Sequence, residues 1–129
     1  MSIKSQLRVM VVDDMATSRA LITKALDEIG IENYSWEASG NDALQSLAKN
    51  PVHLVISDYN MPNGTGIDLL RAVREYPPLA KTGFIIVTGS PDERILKAGT
   101  VLKLNNFIKK PFSVPQMKQC IETVVGRLG

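Results

Sequence analysis

Disulfides are the first thing this sequence cannot have. One cysteine, Cys120, stands among 129 residues, so no intramolecular bridge can close, and a reducing, cytoplasmic setting is expected. Long apolar runs are missing too. The stretch before Asp13 holds only about five apolar residues, against the ~20 that a membrane helix needs, and no small-residue cleavage site follows it. Neither membrane insertion nor a secretory signal is expected. Charge of one sign is scarce. Fifteen Lys and Arg face 13 Asp and Glu, leaving +2 with no long basic run, so no electrostatic footprint for nucleic acid is present. Histidine is nearly absent. His53 stands alone at the start of a strand-like run and reads as a surface residue rather than a ligand or relay group. Linkers, repeats and low-complexity tracts are absent, and one domain over residues 1–129, with no output domain, is expected.

What the sequence does have is alternation. Leu7–Val12 is a short β-branched run suited to a strand buried on both faces. From Thr17 to Ile29 the apolar residues fall on one helical stripe, with Gly30 placed for a left-handed cap. Tyr34–Ala38 is a weaker strand, and Asp42–Lys49 a helix stopped by Pro51. Leu54–Ser57 leads into Asp58. Asn60 to Gly66 is dense in turn formers and reads as loop. Ile67, Leu69, Leu70 and Val73 mark the next helix, which ends before Pro77. Phe84–Val87 is a strand ending at Thr88. Ser90 and Glu93 have capping-box spacing, with Pro91 at the first helical position of a helix running towards Leu104. Phe107–Lys109 is a last strand, and Ser113 with Gln116 opens a final helix. Five strand–helix units predict an α/β fold: a parallel sheet covered by helices on both faces in three layers.

In such a sheet functional groups gather at the carboxyl ends of the strands. Asp13 and Asp14 follow the first strand, Asp58 the third, Thr88 the fourth and Lys110 the fifth. Two unit charges 4 Å apart repel by roughly 4 kcal/mol at an effective dielectric near 20, so clustered carboxylates call for a cation or raised pKa values. Hard oxygen ligands with open positions favour Mg²⁺, which bridges readily to phosphate oxygens. The Lys110 ammonium and Thr88 hydroxyl add two donors. Together these groups suit the equatorial oxygens of a transferring phosphoryl group, with a carboxylate as nucleophile.

Asp13-Asp14, Asp58-Tyr59-Asn60-Met61-Pro62, Thr88 and Lys110-Pro111-Phe112 resemble the response-regulator receiver family of two-component signalling, over residues 7 to 128. Within it the chain is most similar to the chemotaxis regulators. The resemblance implies a flavodoxin-like, doubly wound five-stranded sheet of order 2-1-3-4-5 with five helices. It implies Asp58 as phospho-acceptor, Asp14 as a direct Mg²⁺ ligand and Asp13 as a ligand mostly through water. Asp58 itself and the backbone carbonyl of Asn60 complete the metal set. Thr88 and Lys110 would contact the phosphoryl oxygens. Phe107 would be the aromatic switch residue, turning inward as Thr88 moves; its bland reading is a core aromatic. The implied partners are a CheA-like histidine kinase as phosphodonor and a flagellar motor switch protein, with the chain acting as a monomeric, non-enzymatic switch. The face made by its fourth helix, fifth strand and fifth helix would carry the output.

Several residues depart from the family's usual pattern. Gly64-Thr65-Gly66 replaces an acidic loop, and Thr65 can cap the following helix. Lys103 to Asn106 replaces small residues before the last strand. Gly89 is smaller than the usual Ala. Trp36 falls on the second strand, apart from Asp58, where its fluorescence is expected to report metal binding poorly. Two other functions stay in view: a phosphate sink that drains a shared kinase, and a Mg²⁺-dependent aspartyl-phosphate phosphohydrolase. The hydrolase pattern of Asp-x-Asp after the first strand is missing from Asp13-Asp14-Met15-Ala16, and no cap is present. A flavin carrier of the same fold is excluded by acids where its phosphate loop would lie.

Overall fold

The computed structural model describes residues 3–61 and 64–128. Its sheet is formed by β1 (Arg8–Val12), β2 (Asn33–Glu37), β3 (Leu54–Asp58), β4 (Gly83–Thr88) and β5 (Asn106–Lys109). The strands are all parallel, in the order β2-β1-β3-β4-β5. Five helices flank them: α1 (Ala16–Ile29), α2 (Gly40–Lys49), α3 (Gly66–Glu75), α4 (Glu93–Val101) and α5 (Val114–Val125). The expected doubly wound α/β architecture is therefore what the chain adopts.

Side chains of a strand point alternately to opposite faces, and here that alternation builds two cores. Val9, Val11, Leu54, Ile56, Ile85 and Val87 pack on one face against Ile22 and Leu26 of α1 and Met117 and Ile121 of α5. Met10, Val12, Val55, Phe84 and Ile86 pack on the other against residues of α2, α3 and α4, among them Leu47, Leu70 and Ile95. Every residue of β3 and β4 is buried. The central strands are thus held rigidly from both sides, and their carboxyl ends form a fixed platform.

The structure moves several expected boundaries. A one-turn helix, Ile3–Gln6, precedes β1, and a 3₁₀ turn covers Pro77–Leu79. The segment expected to be plain loop contains a two-residue antiparallel pairing, Asn60 opposite Thr65 and Met61 opposite Gly64; Pro62 and Asn63 lie outside the described residues. Asp92, not Ser90, caps α4. Its carboxylate accepts from both Arg94 N and Ile95 N, which satisfies two free helix donors at once, and Pro91 stands before the cap rather than inside the helix. Helix α4 ends at Val101, short of Leu104, and Lys103 takes a left-handed φ of 54°. The expected caps of α3 and α5 form as complete capping boxes, Thr65 with Asp68 and Ser113 with Gln116. Gly30 closes α1 in the left-handed conformation.

Candidate functional site

Asp13 directly follows β1, and its N–H donates to Glu37 O at 3.1 Å, which extends the β1–β2 ladder by one residue. That bond turns the side chain into the space over the sheet's edge, where it is fully buried. Its Oδ1 accepts from Met15 N at 3.0 Å, and its backbone carbonyl accepts from the Arg19 guanidinium at 3.0 Å. Its Oδ2 is buried with no hydrogen-bond partner among the described residues. A buried carboxylate oxygen left without a donor is costly, and it marks a place where a cation is wanted. Asp14, the next residue, is exposed.

Asp58 ends β3 and is 6% exposed. One oxygen from each of Asp13, Asp14 and Asp58 can be chosen so that all three lie within 4.8 Å of one another. Three carboxylates at that spacing, one with an orphaned oxygen, fit a hard divalent cation with oxygen ligands and waters. Burial raises the Asp58 pKa above its ordinary value, with the charge of Asp13 adding to the rise, while the hydrogen bond and charge of Lys110 and the Tyr59 N–H pull it back. The carboxyl is therefore strained electrostatically and compensated by a single ammonium.

That ammonium is Lys110 Nζ, 2.8 Å from Asp58 Oδ1. Lys110 N donates to Thr88 O at 2.8 Å, so the lysine is anchored to the end of β4 before its side chain crosses to β3. Its Nζ also donates to Ser18 Oγ, on the first turn of α1, at 2.9 Å. Ser18 is a member of the site that the sequence reading missed. Its signal was faint: a hydroxyl one helical turn past Asp14, on the helix that leaves the acidic edge.

Thr88 is 3% exposed at the end of β4. Its Oγ1 accepts from Ser90 N at 3.2 Å, which leaves the hydroxyl proton free to donate. Beside it, a Cβ built on Gly89 would meet nothing within 4 Å, so the space at Gly89 is open. Gly66 is required for the opposite reason, since a Cβ there would lie 2.7 Å from Asp58 O and 3.4 Å from Ser57 Oγ. The start of α3 is drawn in that closely by the bond from Gly66 N to Tyr59 O, 2.8 Å.

The remaining predicted residues sit around this centre. Asn60 is exposed, two residues past Asp58, in register with Thr65. Phe107 is half-buried on β5, packed with Tyr59 and Met61 against the core beneath α2, α3 and α4. His53 is exposed at the opposite end of the sheet, where its Nδ1 accepts from Arg8 N at 2.9 Å. Trp36 lies on β2, as expected, and is 50% exposed. The Arg19 guanidinium sits 3.7 Å from its ring centroid and donates to Asp13 O, so one side chain touches both the indole and the backbone of the buried acid.

The model of the response regulator receiver domain matches residues 9–122. The chain is 40% identical to a "Probable chemotaxis protein CheY" of Rhizobium etli over 128 residues, 99% of each chain. It is 31% identical to "Chemotaxis protein CheY" of Pseudomonas aeruginosa, covering 95% of this chain and 98% of that one. Among solved structures it is similar to a putative response regulator of Chloroflexus aurantiacus at 26% identity and a TM-score of 0.85, over 94% of this chain and 98% of the other.

Proposed function

The chain belongs to the response regulator receiver domain family, and on that premise we propose that it is a CheY-like chemotaxis switch that accepts a phosphoryl group on Asp58. The observation that supports this best is the ion pair of Asp58 with Lys110 beside a second buried acid whose Oδ2 has no partner. A structural ion pair needs no third carboxylate; an acceptor site does.

Asp13, Asp14 and Asp58, with the backbone carbonyl of Asn60, would hold Mg²⁺. When bound, the ion offsets the charge of the carboxylates and of the phosphoryl oxygens that approach them. The chain's own groups do the rest. A carboxylate oxygen of Asp58 forms the bond to phosphorus as the donor's bond to phosphorus breaks, and that electron pair leaves with the donor imidazole, which takes up a proton. Lys110 and Thr88, each fixed at a strand end, donate to the phosphoryl oxygens and need no rearrangement of the sheet to do so. Turning the Thr88 hydroxyl towards the new group takes it from Ser90 N, the contact that now holds the β4–α4 loop. Phe107 follows inward, and the face made by α4, β5 and α5 changes. The phosphodonor is a CheA-like histidine kinase, and the readout is a flagellar motor switch protein that binds the altered face of the monomer in the cytoplasm.

Labelling with a phosphohistidine kinase or acetyl phosphate in Mg²⁺ tests the proposal. Wild type takes one equivalent, and Asp58→Asn takes none. Substantial labelling of Asp58→Asn refutes the assignment, and sustained turnover of phosphate esters would favour the phosphohydrolase. Kinase-dependent labelling with no gain in affinity for the motor protein would point to the phosphate sink.

A further inference from the structure

Lys110 Nζ has two partners of opposite kinds. Asp58 Oδ1, at 2.8 Å, is the atom set whose charge changes in the proposed reaction; Ser18 Oγ, at 2.9 Å, is neutral and carried by another element. We propose that Ser18 is a positioning residue for phosphoryl transfer, keeping the Lys110 ammonium within the site while its carboxylate partner becomes an acyl phosphate. This inference rests on the receiver reading given above.

Lys110 carries the ammonium that pairs with Asp58. Its four-carbon stem is flexible, and holding the ammonium at one point costs side-chain entropy. An ion pair with Asp58 supplies that restraint only while Asp58 keeps its full charge. Once an oxygen of that carboxylate bonds to phosphorus, the negative charge lies on the phosphoryl oxygens and the ammonium must shift to meet them. A second acceptor that does not change during the step keeps the ammonium from swinging to solvent. Ser18 meets that requirement. It is half-buried on the first turn of α1, a helix fixed by Ile22, Ala25, Leu26 and Ile29 in the core.

The chemistry of the side chain matters as much as its place. A carboxylate at this position would compete with the phosphoryl group for the ammonium and add a fourth negative charge to the acidic cluster. An alanine would leave the ammonium with Asp58 alone. A hydroxyl accepts one hydrogen bond from the ammonium without drawing it away. Thr88 does not hold the ammonium in this way; its Oγ1 accepts from Ser90 N.

The experiment is a double-mutant cycle on the labelling rate with acetyl phosphate at saturating Mg²⁺, using the full chain. Ser18→Ala is expected to slow labelling by about five- to ten-fold, the scale of one net hydrogen bond, with Mg²⁺ affinity unchanged. Ser18→Thr, which keeps the hydroxyl, restores the rate to within about two-fold. In a Lys110→Ala background, expected to label slowly but measurably, adding Ser18→Ala has no further effect, because the residue acts through the lysine. Wild-type labelling by Ser18→Ala overturns the proposal, as does an equal loss in both backgrounds or a failure of Ser18→Thr to rescue. If wild type itself takes no label, the receiver reading fails and this proposal with it, an outcome distinct from the other three.

Discussion

Asp58 is buried, faces the charge of Asp13 and is paired with one ammonium, and the balance leaves its pKa raised. For an acid, a raised pKa means that the folded chain binds the proton more tightly than the unfolded chain does. The stability this contributes is fully present below the unfolded value, near ~4, and is lost as pH rises through the folded value. At neutral pH the ionised carboxylate therefore costs stability when no metal is bound. Asp58→Asn, which keeps the shape and removes the charge, is expected to melt at a higher temperature than wild type at pH 7 in EDTA, with the gap closing as pH falls below about 4. A lower Tm for the variant at pH 7 would show that the ion pair with Lys110 outweighs burial and repulsion. Cys120 shows the same desolvation: burial raises its thiol to about 11, which keeps it protonated at physiological pH.

Among the elements, the α4–β5 connection is held from outside itself. Arg74, in the last turn of α3, donates to the carbonyls of Leu102, Ala80, Thr82 and Lys103 and to Asn105 Oδ1, at 2.7 to 3.1 Å. Asn105 Oδ1 accepts from Phe84 N as well, at 2.8 Å. The guanidinium thus ties the end of α3, the start of β4 and the loop after α4 into one unit, and it does so through neutral acceptors. Arg74→Met is expected to lower unfolding free energy by about 2–3 kcal/mol and to speed amide exchange across residues 102–106 more than elsewhere. Unchanged exchange there would mean that the loop holds its own shape. This tie was not legible in the sequence, where Arg74 reads as a solvated helix residue and its partners lie far along the chain. The early end of α4 and the left-handed Lys103 were hidden for the same reason. The strands and the caps at Thr65 and Ser113 were legible because their signals are local: β-branched runs and side-chain spacings within one helical turn. The site was legible where polar residues punctuate apolar strands, at Asp13, Asp58, Thr88 and Lys110. Ser18 was not, because a serine on an amphipathic helix looks like any other polar-face residue.

The whole molecule is a rigid sheet with its chemistry at one edge. Two cores clamp β3 and β4 from both faces, so the backbone positions of Asp58 and Lys110 are set by strand register, with Lys110 N bonded to Thr88 O. The turn after Thr88, where Thr88 Oγ1 accepts from Ser90 N, lies beyond the strand ends. A fold of this kind can take a covalent anion on its platform and pass the effect to surface helices without disturbing its cores. All of this depends on Asp58 being the acceptor, in a site that requires a divalent cation. Site mapping by mass spectrometry tests it most directly: the full chain is treated with acetyl phosphate in Mg²⁺ or in EDTA, and the acyl phosphate is trapped by borohydride. The account predicts modification at residue 58 alone, and only in Mg²⁺. Modification at another residue, or equal modification in EDTA, would contradict it.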